Sequence, residues 1–209
     1  MNSKVTHINV GNLAENCWFL ANEDTKEAVV IDPGAEPDRI CAAAEKHGWK
    51  ITAILLTHGH IDHMGACESL RTELGVKVYA LTEEEDLLLD AKKNLSVFIE
   101  RKVVTFEPDE LLRDGQKLTL AGMKIQVIHT PGHTPGGCSY YVADAGCVFS
   151  GDTLFAESVG RSDFPGGSTS ALVRAVKEKL FLLPDDTLVC PGHGEETTIG
   201  HEKKYNSFV

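Results

Sequence analysis

The chain has 209 residues, of which 42% are hydrophobic and 24% charged, and its formal net charge at pH 7 is -11. A chain of this length can build one substantial hydrophobic core, so we expect a single domain over residues 1–209. The acidic balance argues against a nucleic acid as partner, because proteins that bind the phosphate backbone carry basic patches.

Membrane and secretion signals are also missing from the sequence pattern. No apolar run approaches the ~20 residues that a membrane-spanning helix needs, and the polar, alternating start lacks the pattern of a signal peptide. The six cysteines are scattered without any Cys-x-x-Cys pair, which favours reduced, mostly buried thiols over a disulfide framework. These features predict a cytoplasmic protein without a membrane partner, and they leave the oligomeric state open.

The first third of the chain predicts three strands, a helix and a strand. The strands are expected at residues 5–10, 17–21, 27–31 and 51–56. The helix begins at Pro37 and reaches residue 46 or 47, where Gly48 ends it. A strand, helix and strand in this order indicate mixed or parallel pairing, which places ligands at the carboxyl ends of strands.

The middle of the chain predicts a helix over residues 64–74, a short strand over 76–80 and a largely helical segment over 83–99. Thr82 is the expected N-terminal cap of that segment. Residues 83–99 are interpreted either as a lid over the functional site or as an ordinary packing segment. Gly65 removes a side chain where the backbone passes close to a neighbour, which we expect to be the metal pair.

Strands return after about residue 103. They are expected at residues 117–120, 124–128, 137–143, 147–150 and 187–190, with turns such as Asp114-Gly115 between them. A last long helix follows Ser168 and is closed by Pro184. Both halves of the chain therefore have the order of strands, helix and strand, which suggests a duplicated sandwich.

The most informative stretch is residues 57–63, which read T-H-G-H-I-D-H directly after an apolar strand. It gathers three imidazoles and a carboxylate, the donors that zinc, iron and manganese accept. The alternative is a polar surface loop without a ligand. The density of these donor types favours a metal site.

Further donors follow apolar strands later in the chain. His133 lies in T-P-G-H-T, Asp152 follows the strand over residues 147–150, and His193 follows the strand over residues 187–190. Any one of them alone would more often be a turn or capping residue. Together with the first loop, they repeat one arrangement, a polar ligand at the carboxyl end of a strand, and this joint pattern favours ligation.

Seven nitrogen and oxygen donors exceed the needs of one tetrahedral ion and suit two ions that share a carboxylate. The predicted ligands are His58, His60 and His133 for the first ion, Asp62, His63 and His193 for the second, and Asp152 as the bridge. Zinc is the expected metal, with iron or manganese as alternatives. Asp62 and Asp152 are predicted to be catalytic as well as metal-binding, while Asp32 is interpreted as a turn residue or an orienting partner rather than a ligand.

The motifs T-H-G-H-I-D-H, T-P-G-H-T, G-D-T and P-G-H-G, in this order, resemble the metallo-β-lactamase-fold hydrolases over nearly the whole chain. His63 directly after Asp62, and Asp152 in place of a cysteine, make the set similar to the glyoxalase II branch. Residues 160–168 and 197–206 are similar to its short, single-domain members. The resemblance implies an α/β fold, a four-layered αβ/βα sandwich with two mixed sheets flanked by helices, and a hydroxyacylglutathione hydrolase activity.

The resemblance also implies a mechanism, in which metal-bound hydroxide attacks the carbonyl of a small thioester such as S-lactoylglutathione and a thiolate leaves. Arg161 is expected to bind a substrate carboxylate, since persulfide dioxygenases of the same superfamily carry a similar Gly-Arg-x-Asp-Phe stretch. A structural salt bridge between Arg161 and Asp163 is the alternative. Two-domain glyoxalase II enzymes continue with glutathione-binding helices that this sequence lacks after Val209, which leaves the thioester open.

Two other functions compete with the dinuclear thioester hydrolase. The first is a persulfide dioxygenase with a single iron, which shares much of the motif set. The second is a metal-binding module without catalysis, although structural sites are usually closed by four ligands with thiolates prominent. Metal content combined with thioester hydrolysis would separate the three.

Overall fold

The computed structural model describes residues 2–209. The strands are β1 (Ser3–Val10), β2 (Glu15–Asn22), β3 (Glu27–Ile31), β4 (Lys50–Leu55), β5 (Lys77–Leu81), β6 (Glu110–Leu112), β7 (Lys117–Leu120), β8 (Met123–His129), β9 (Cys138–Val142), β10 (Cys147–Gly151), β11 (Leu154–Phe155), β12 (Ser158–Val159), β13 (Leu188–Pro191) and β14 (Thr197–Thr198). The helices are α1 (Pro37–Lys46), α2 (Ile61–Met64), α3 (Cys67–Leu74), α4 (Glu85–Leu88), α5 (Ser96–Ile99), α6 (Thr169–Glu178) and α7 (Ile199–Tyr205). Short 3-10 turns precede α4 and follow β9 and α6.

Most strands belong to two mixed, six-stranded sheets. The first sheet has the order β1-β2-β3-β4-β5-β6, with antiparallel pairs from β1 to β3 and parallel pairs from β3 to β6. The second sheet has the order β14-β13-β10-β9-β8-β7, in which β10 and β13 pair in parallel and the other neighbours are antiparallel. Strands β11 and β12 form a small separate hairpin.

Three apolar clusters separate four layers of structure. One cluster packs helices α1 and α3 against the first sheet, a second fills the space between the two sheets, and a third packs α6 and α7 against the second sheet. A sheet that is covered on both faces needs apolar side chains on both, as mixed and parallel sheets require. This arrangement confirms the predicted four-layered αβ/βα sandwich.

Strand β2 shows how the sequence produces these layers. It is buried along its full length, and successive side chains point to opposite faces of the sheet. Phe19 therefore joins the cluster beneath the helices, while Trp18 and Leu20 join the cluster between the sheets. The large side chains of β2 therefore contribute to two apolar clusters, one on each face of the first sheet.

The two sheets are bonded to each other along one edge. The backbone N–H of Cys138 donates to the carbonyl of Thr57 at 2.8 Å, and the Tyr140 hydroxyl donates to the carbonyl of Leu56 at 2.6 Å. The indole N–H of Trp18 donates to the carbonyl of Pro191 at 2.9 Å. These bonds bring the ends of strands from both sheets to one edge of the sandwich.

The helix predicted over residues 64–74 is wrong at its start. The chain becomes helical at Ile61, breaks after Met64 and resumes as α3 at Cys67. The break follows from Ala66, whose N–H donates to the carbonyl of Pro33 at 2.9 Å instead of to the preceding turn. Gly65 is needed at this contact because a Cβ there would lie 2.3 Å from the Gly34 carbonyl oxygen, so the neighbour is this loop and not the metal pair.

The helical segment predicted over residues 83–99 is also wrong in its continuity. It consists of a 3-10 turn, the single-turn helices α4 and α5, and a turn between them in which the Asp90 carboxylate accepts the backbone N–H of Lys92 at 2.9 Å. Such local bonds compete with helix hydrogen bonds. The expected cap is absent too, because the Thr82 hydroxyl donates to the carbonyl of Leu112 at 2.8 Å.

Two smaller differences concern the second half of the chain. The hairpin of β11 and β12 has no counterpart among the predicted elements. Helix α6 ends at Glu178 and is followed by a 3-10 turn, so Pro184 closes that turn rather than the helix. Within residues 2–209, none of the helices combines the length and apolar character that crossing a membrane would require.

Candidate metal centre

The first ligand loop leaves the end of β4 and runs into helix α2. His58 and His60 lie in the loop, with His60 as the N-cap of the helix, whereas Asp62 and His63 occupy its first turn. The N–H of Thr57 donates to a carboxylate oxygen of Asp32 at 2.7 Å, which ties the loop to the end of β3. The end of β4 and the start of α2 therefore direct four donor side chains toward the edge at which the two sheets are bonded.

Three imidazoles form the first group of donors, His58, His60 and His133. Each offers one ring nitrogen, and the three nitrogens lie within 4.8 Å of one another. The Nε2 of His133 is 2.9 Å from Nδ1 of His60, and all three residues are at most 5% exposed. The loop that follows β8 thus delivers His133 to the loop that follows β4.

The second group of donors consists of Asp62, His63 and His193, and its three ligand atoms also lie within 4.8 Å of one another. The Nε2 of His193 is 3.3 Å from a carboxylate oxygen of Asp62. His63 is buried, but the side chains of Asp62 and His193 are 16% and 27% exposed. The second group is therefore the part of the cluster that reaches solvent.

Asp152, which follows β10, lies between the two groups. One of its carboxylate oxygens is 3.5 Å from Nε2 of His63, and the other is 3.5 Å from Nε2 of His133 and 3.9 Å from Nε2 of His193. Gly192 makes this approach possible, because a Cβ there would lie 2.4 Å from Asp152 Oδ1. The structure thus brings all seven predicted ligands together, with Asp152 facing both groups.

The buried nitrogen and oxygen atoms of the cluster that lack a hydrogen-bond partner are suited to bind cations. The Nε2 atoms of His58, His60 and His63 and the Oδ1 atom of Asp152 are buried and lack a hydrogen-bond partner among the described residues. Buried polar atoms are nearly always bonded, so four such atoms without a partner in one cluster indicate a site for an electropositive group. Divalent ions supply it, since imidazole and carboxylate are their usual ligands.

The pKa values of the imidazoles differ between the groups. Burial, together with the neighbouring imidazoles, lowers the pKa of His58 and of His60 well below the ordinary value, so both rings stay neutral and keep a lone pair. Burial also disfavours the charged form of His63, but the carboxylates of Asp152, Asp62 and Asp32 raise its pKa well above the ordinary value. The second group of donors therefore has the more negatively charged surroundings.

Outer contacts orient several of the rings. Asp32 accepts hydrogen bonds from the N–H and, at 2.5 Å, the hydroxyl of Thr57, and its Oδ2 is 3.1 Å from Nδ1 of His63. Its backbone has a φ of 53°, a conformation that costs energy in a residue with a side chain. Because these bonds occupy both oxygens, Asp32 orients His63 toward the cluster in the manner common around bound metals.

Glu84 joins the two ligand loops, and sequence reasoning missed it. This buried carboxylate accepts the backbone N–H of Gly59 and the backbone N–H of Gly136, each at 2.8 Å. Burial raises its pKa to about 7, although both N–H donors favour the ionised form. Its role depends on contacts 25 and 52 residues away, so no local pattern could have revealed it.

Glu15 is a second buried carboxyl that sequence reasoning missed. It is fully buried, both oxygens lack a hydrogen-bond partner in the described chain, and Oε1 lies 3.9 Å from Nδ1 of His63. Burial raises its pKa well above the ordinary value. Glu15 and Asp32 therefore place two carboxyl groups behind His63, on the side away from Asp152.

Arg161 lies outside the donor cluster. Its exposed guanidinium binds the carboxylate of Asp163 through two hydrogen bonds of 2.9 and 2.8 Å and stacks on the ring of Phe164. Its backbone carbonyl is 2.6 Å from Nδ1 of His133. The salt bridge foreseen as an alternative is present, and Phe164 in turn contacts the rings of His60 and His133.

The remaining four histidines belong to neither donor group and make other contacts. His7 packs on Trp18, His47 stacks on Trp49, and His129 lies 2.9 Å from the carbonyl of Pro135 through Nε2. His201 pairs with Glu157 at 2.9 Å. These contacts explain the four rings as structural or surface groups.

The arrangement matches a known superfamily. A family model described as the metallo-beta-lactamase superfamily matches residues 10–193. The chain belongs to this superfamily. The resemblance of the sequence motifs to this superfamily is confirmed, and so is the fold that the resemblance implied.

Relatives of metallo-hydrolase type match almost the whole chain. "Probable metallo-hydrolase YqgX" of Bacillus subtilis is 39% identical and covers 96% of this chain and 94% of its own length. "Hydroxyacylglutathione hydrolase GloC" of Haemophilus influenzae is 36% identical and covers 93% of this chain and 92% of its own length. The chain is therefore a metallo-hydrolase of the metallo-beta-lactamase superfamily.

Solved structures agree on the fold, and one of them contains bound metal. The BLEG-1 B3 metallo-beta-lactamase is 38% identical with a TM-score of 0.93, covering 98% of this chain and 99% of that one. TTHA1623 in a di-iron-bound form is 37% identical with a TM-score of 0.86 and coverage of 98% and 100%. ETHE1 from Myxococcus xanthus is 30% identical with a TM-score of 0.78 and coverage of 99% and 84%. The histidine and aspartate donors of this chain suit divalent metals.

Proposed function

We propose that this metallo-hydrolase cleaves small thioesters of the S-lactoylglutathione type with two bound divalent ions. The observation that carries the proposal is the position of Asp152, whose two oxygens face two separate groups of donors. Two ions that share one carboxylate are the usual arrangement for activating water in such hydrolases. The 36% identity with GloC over nearly the whole chain supports the thioester as substrate.

The residues would share the work as follows. His58, His60 and His133 would hold one ion, His63, Asp62 and His193 the other, and Asp152 both. Such ions lower the pKa of water toward neutrality and stabilise negative charge on a carbonyl oxygen. In the overall reaction the oxygen of water bonds to the carbonyl carbon, the C–S bond breaks, and the thiol leaves with a proton to give an acid and a thiol.

Asp62 is suited to orient the reacting water. Burial disfavours its charged form, but His63 and a hydrogen bond from His193 outweigh burial and lower the pKa of Asp62. An ionised, partly exposed carboxylate in the open group can accept a hydrogen bond from water that enters there. We therefore assign catalytic roles to Asp62 and Asp152.

The deciding experiment measures thiol release from S-lactoylglutathione by protein loaded with two equivalents of zinc, iron or manganese. We expect turnover with at least one of these metals. Zinc is the first metal to test, and iron is the second, because TTHA1623 has a di-iron-bound form. Metal analysis of the protein as isolated from cells identifies the natural ion. If the dinuclear forms leave this and other thioesters intact, the proposal fails.

A persulfide dioxygenase with a single iron is the second candidate, because ETHE1 shares the fold and 30% of the sequence. Uptake of oxygen by the iron-loaded protein in the presence of glutathione persulfide would favour it over the hydrolase.

The six free cysteines suit a reducing compartment, so we further propose that the protein acts in the cytoplasm on small molecules.

A further inference from the structure

A cleft lies beside the open group of donors. It has a volume of about 270 Å³ and runs between the β1–β2 turn and the segment after α5. Leu13 forms one lip, and Ile99 and Val104 form the other, while Ile61 and Asp62 lie along the floor. We call this space the apolar cleft.

Two apolar side chains at the lips of the apolar cleft, Leu13 and Ile99, are largely exposed. Leu13 is 50% exposed and Ile99 is 38% exposed, although they come from distant parts of the chain and face the same space. Isolated exposed apolar residues are ordinary, but apolar residues that face each other across a cavity mark a binding site.

The apolar cleft adjoins the donor cluster at Asp62. This residue lines the cleft, and its carboxylate is 3.3 Å from Nε2 of His193. Gly65, one helical turn further along, is exposed and also lines the cleft. A molecule whose reacting carbonyl is at the donors can therefore extend into the cleft.

The charges around the cleft favour an uncharged occupant. Glu36 is already paired with the guanidinium of Arg39 at 2.5 Å and accepts the N–H of Gly11 at 3.0 Å. Glu100 and Lys102 have opposite signs, and the remaining charged residue, Asp62, is one of the donors that would hold an ion. Apart from this donor, the lining has no unmatched charge to select a charged group.

The opposite side of the donor cluster has a different character. Phe164 contacts the rings of His60 and His133, and Arg161 stacks on it. The guanidinium of Arg161 now pairs with Asp163 at the surface, and exchange of this exposed partner would let it bind the carboxylates of a charged thiol such as glutathione. The two halves of a thioester therefore match two sides of the cluster, the charged thiol half at Arg161 and an apolar acyl half at the cleft.

We propose that the apolar cleft binds the acyl chain of the substrate, and that the preferred substrates are thioesters whose uncharged aliphatic acyl chain is longer than lactoyl. This inference rests on the proposed thioester hydrolase. It adds a specificity site formed by Leu13, Ile99 and Val104 to the metal centre.

The first test is a series of straight-chain S-acylglutathiones from acetyl to octanoyl. For the metal-loaded protein we expect kcat/KM to rise about fourfold per methylene, the equivalent of burying one CH₂ group, until the cleft is full. Leu13→Asp and Ile99→Asp should remove most of the ratio between octanoyl and acetyl substrates. The control Leu182→Asp, at a residue 78% exposed in the helical layer on the second sheet, should keep the wild-type ratio.

A binding measurement separates the two proposals. In S-(2-oxooctyl)glutathione a methylene separates the sulfur from the carbonyl, so the compound cannot be hydrolysed as a thioester. Calorimetry should show that it binds tighter than S-(2-oxopropyl)glutathione by the same fourfold per methylene, and that Ile99→Asp removes the difference.

The outcomes are distinct. If no thioester is cleaved while the long analogue retains its advantage, the proposed reaction fails and the cleft remains a binding site for an aliphatic chain. If thioesters are cleaved without a preference for chain length, the inference about the cleft is wrong. It is equally wrong if a chain-length preference exists and survives both Leu13→Asp and Ile99→Asp in folded protein.

Discussion

The two groups of donors face each other across Asp152, yet they differ in burial and in support. His58, His60 and His133 are at most 5% exposed, and Glu84 bonds the loops on which they lie. In the second group, Asp62 and His193 are partly exposed, and Asp62 also lines the apolar cleft. The comparison indicates that the first group is the more enclosed part of the site, while the second is the part that solvent can reach.

The groups also differ in charge. The first consists of imidazoles alone, whereas the second contains Asp62 and has Asp32 and Glu15 behind His63. A negative surrounding attracts metal ions and protons alike, so the two compete more strongly at the second group. If two ions bind as proposed, we therefore expect protons to displace the ion of the second group more readily than that of the first.

Removing Asp152 should have the largest effect because it alone faces both groups. We expect Asp152→Ala to abolish hydrolysis and to prevent full metal loading, with a loss well beyond the roughly 100-fold change caused by removing an orienting partner of a ligand. Metal stoichiometry and kcat/KM measure both effects. Asp144→Ala, in the turn before β10, is the matched control, and a variant at Asp152 that retains two ions would contradict the bridging role.

Glu84 offers a way to break the first group selectively. Glu84→Ala removes both bonds between the ligand loops and should weaken the first ion by about 10- to 100-fold, while the second ion is affected much less. Chelator competition and the absorption spectrum of the cobalt-substituted protein can follow the two ions separately. The exposed neighbour variant Glu83→Gln should behave as wild type, and equal weakening of both ions would show that Glu84 does not distinguish the groups.

Acid should separate the groups as well. The raised pKa of His63 means that a falling pH protonates this ring first, whereas the lowered pKa values of His58 and His60 keep those rings neutral to more acidic pH. Because a protonated imidazole cannot bind a metal, the second ion should be released at a higher pH than the first. Dialysis across a pH series followed by metal analysis should show a plateau at one ion, and a single step from two ions to none would contradict this order.

The smallest expected effect concerns Arg161, at the edge of the first group. If its guanidinium binds a substrate carboxylate, Arg161→Gln should raise KM for glutathione thioesters severalfold with kcat unchanged. Asp163→Asn should then lower KM, because it frees the guanidinium from its salt bridge. If the pair is only structural, neither variant changes KM and both shift the thermal midpoint alike.

The ligand set and the layers could be predicted from the sequence because both depend on short-range patterns. Each predicted ligand follows an apolar strand, and strands such as β3 and β7 begin and end at the predicted residues. The break between α2 and α3 escaped prediction because it depends on a bond from Ala66 to Pro33, which lies in a different turn. Sequence periodicity carries no information about such a contact.

The supporting residues of the site were hidden for the same reason. Glu84 looks like one acid among several at the start of a helical segment, and its importance depends on Gly59 and Gly136 arriving from two other loops. Glu15 follows the turn after β1 and becomes significant only because β2 brings it beside His63. The apolar cleft likewise requires the fold, since Leu13 and Ile99 are far apart in the chain.

The donors come from both sheets, and this has a consequence for the lifetime of the folded state. The six cysteines are free thiols, so no disulfide joins the two halves of the sandwich in the part of the chain that the structure describes. An ion held by His58 and His133 would connect residues 75 positions apart (133 − 58), and an ion held by His63 and His193 would connect residues 130 positions apart (193 − 63), as a long-range cross-link does. Metal loading should therefore slow global unfolding and protect the protein from proteolysis. The ions proposed for catalysis would also serve as cross-links between the two sheets.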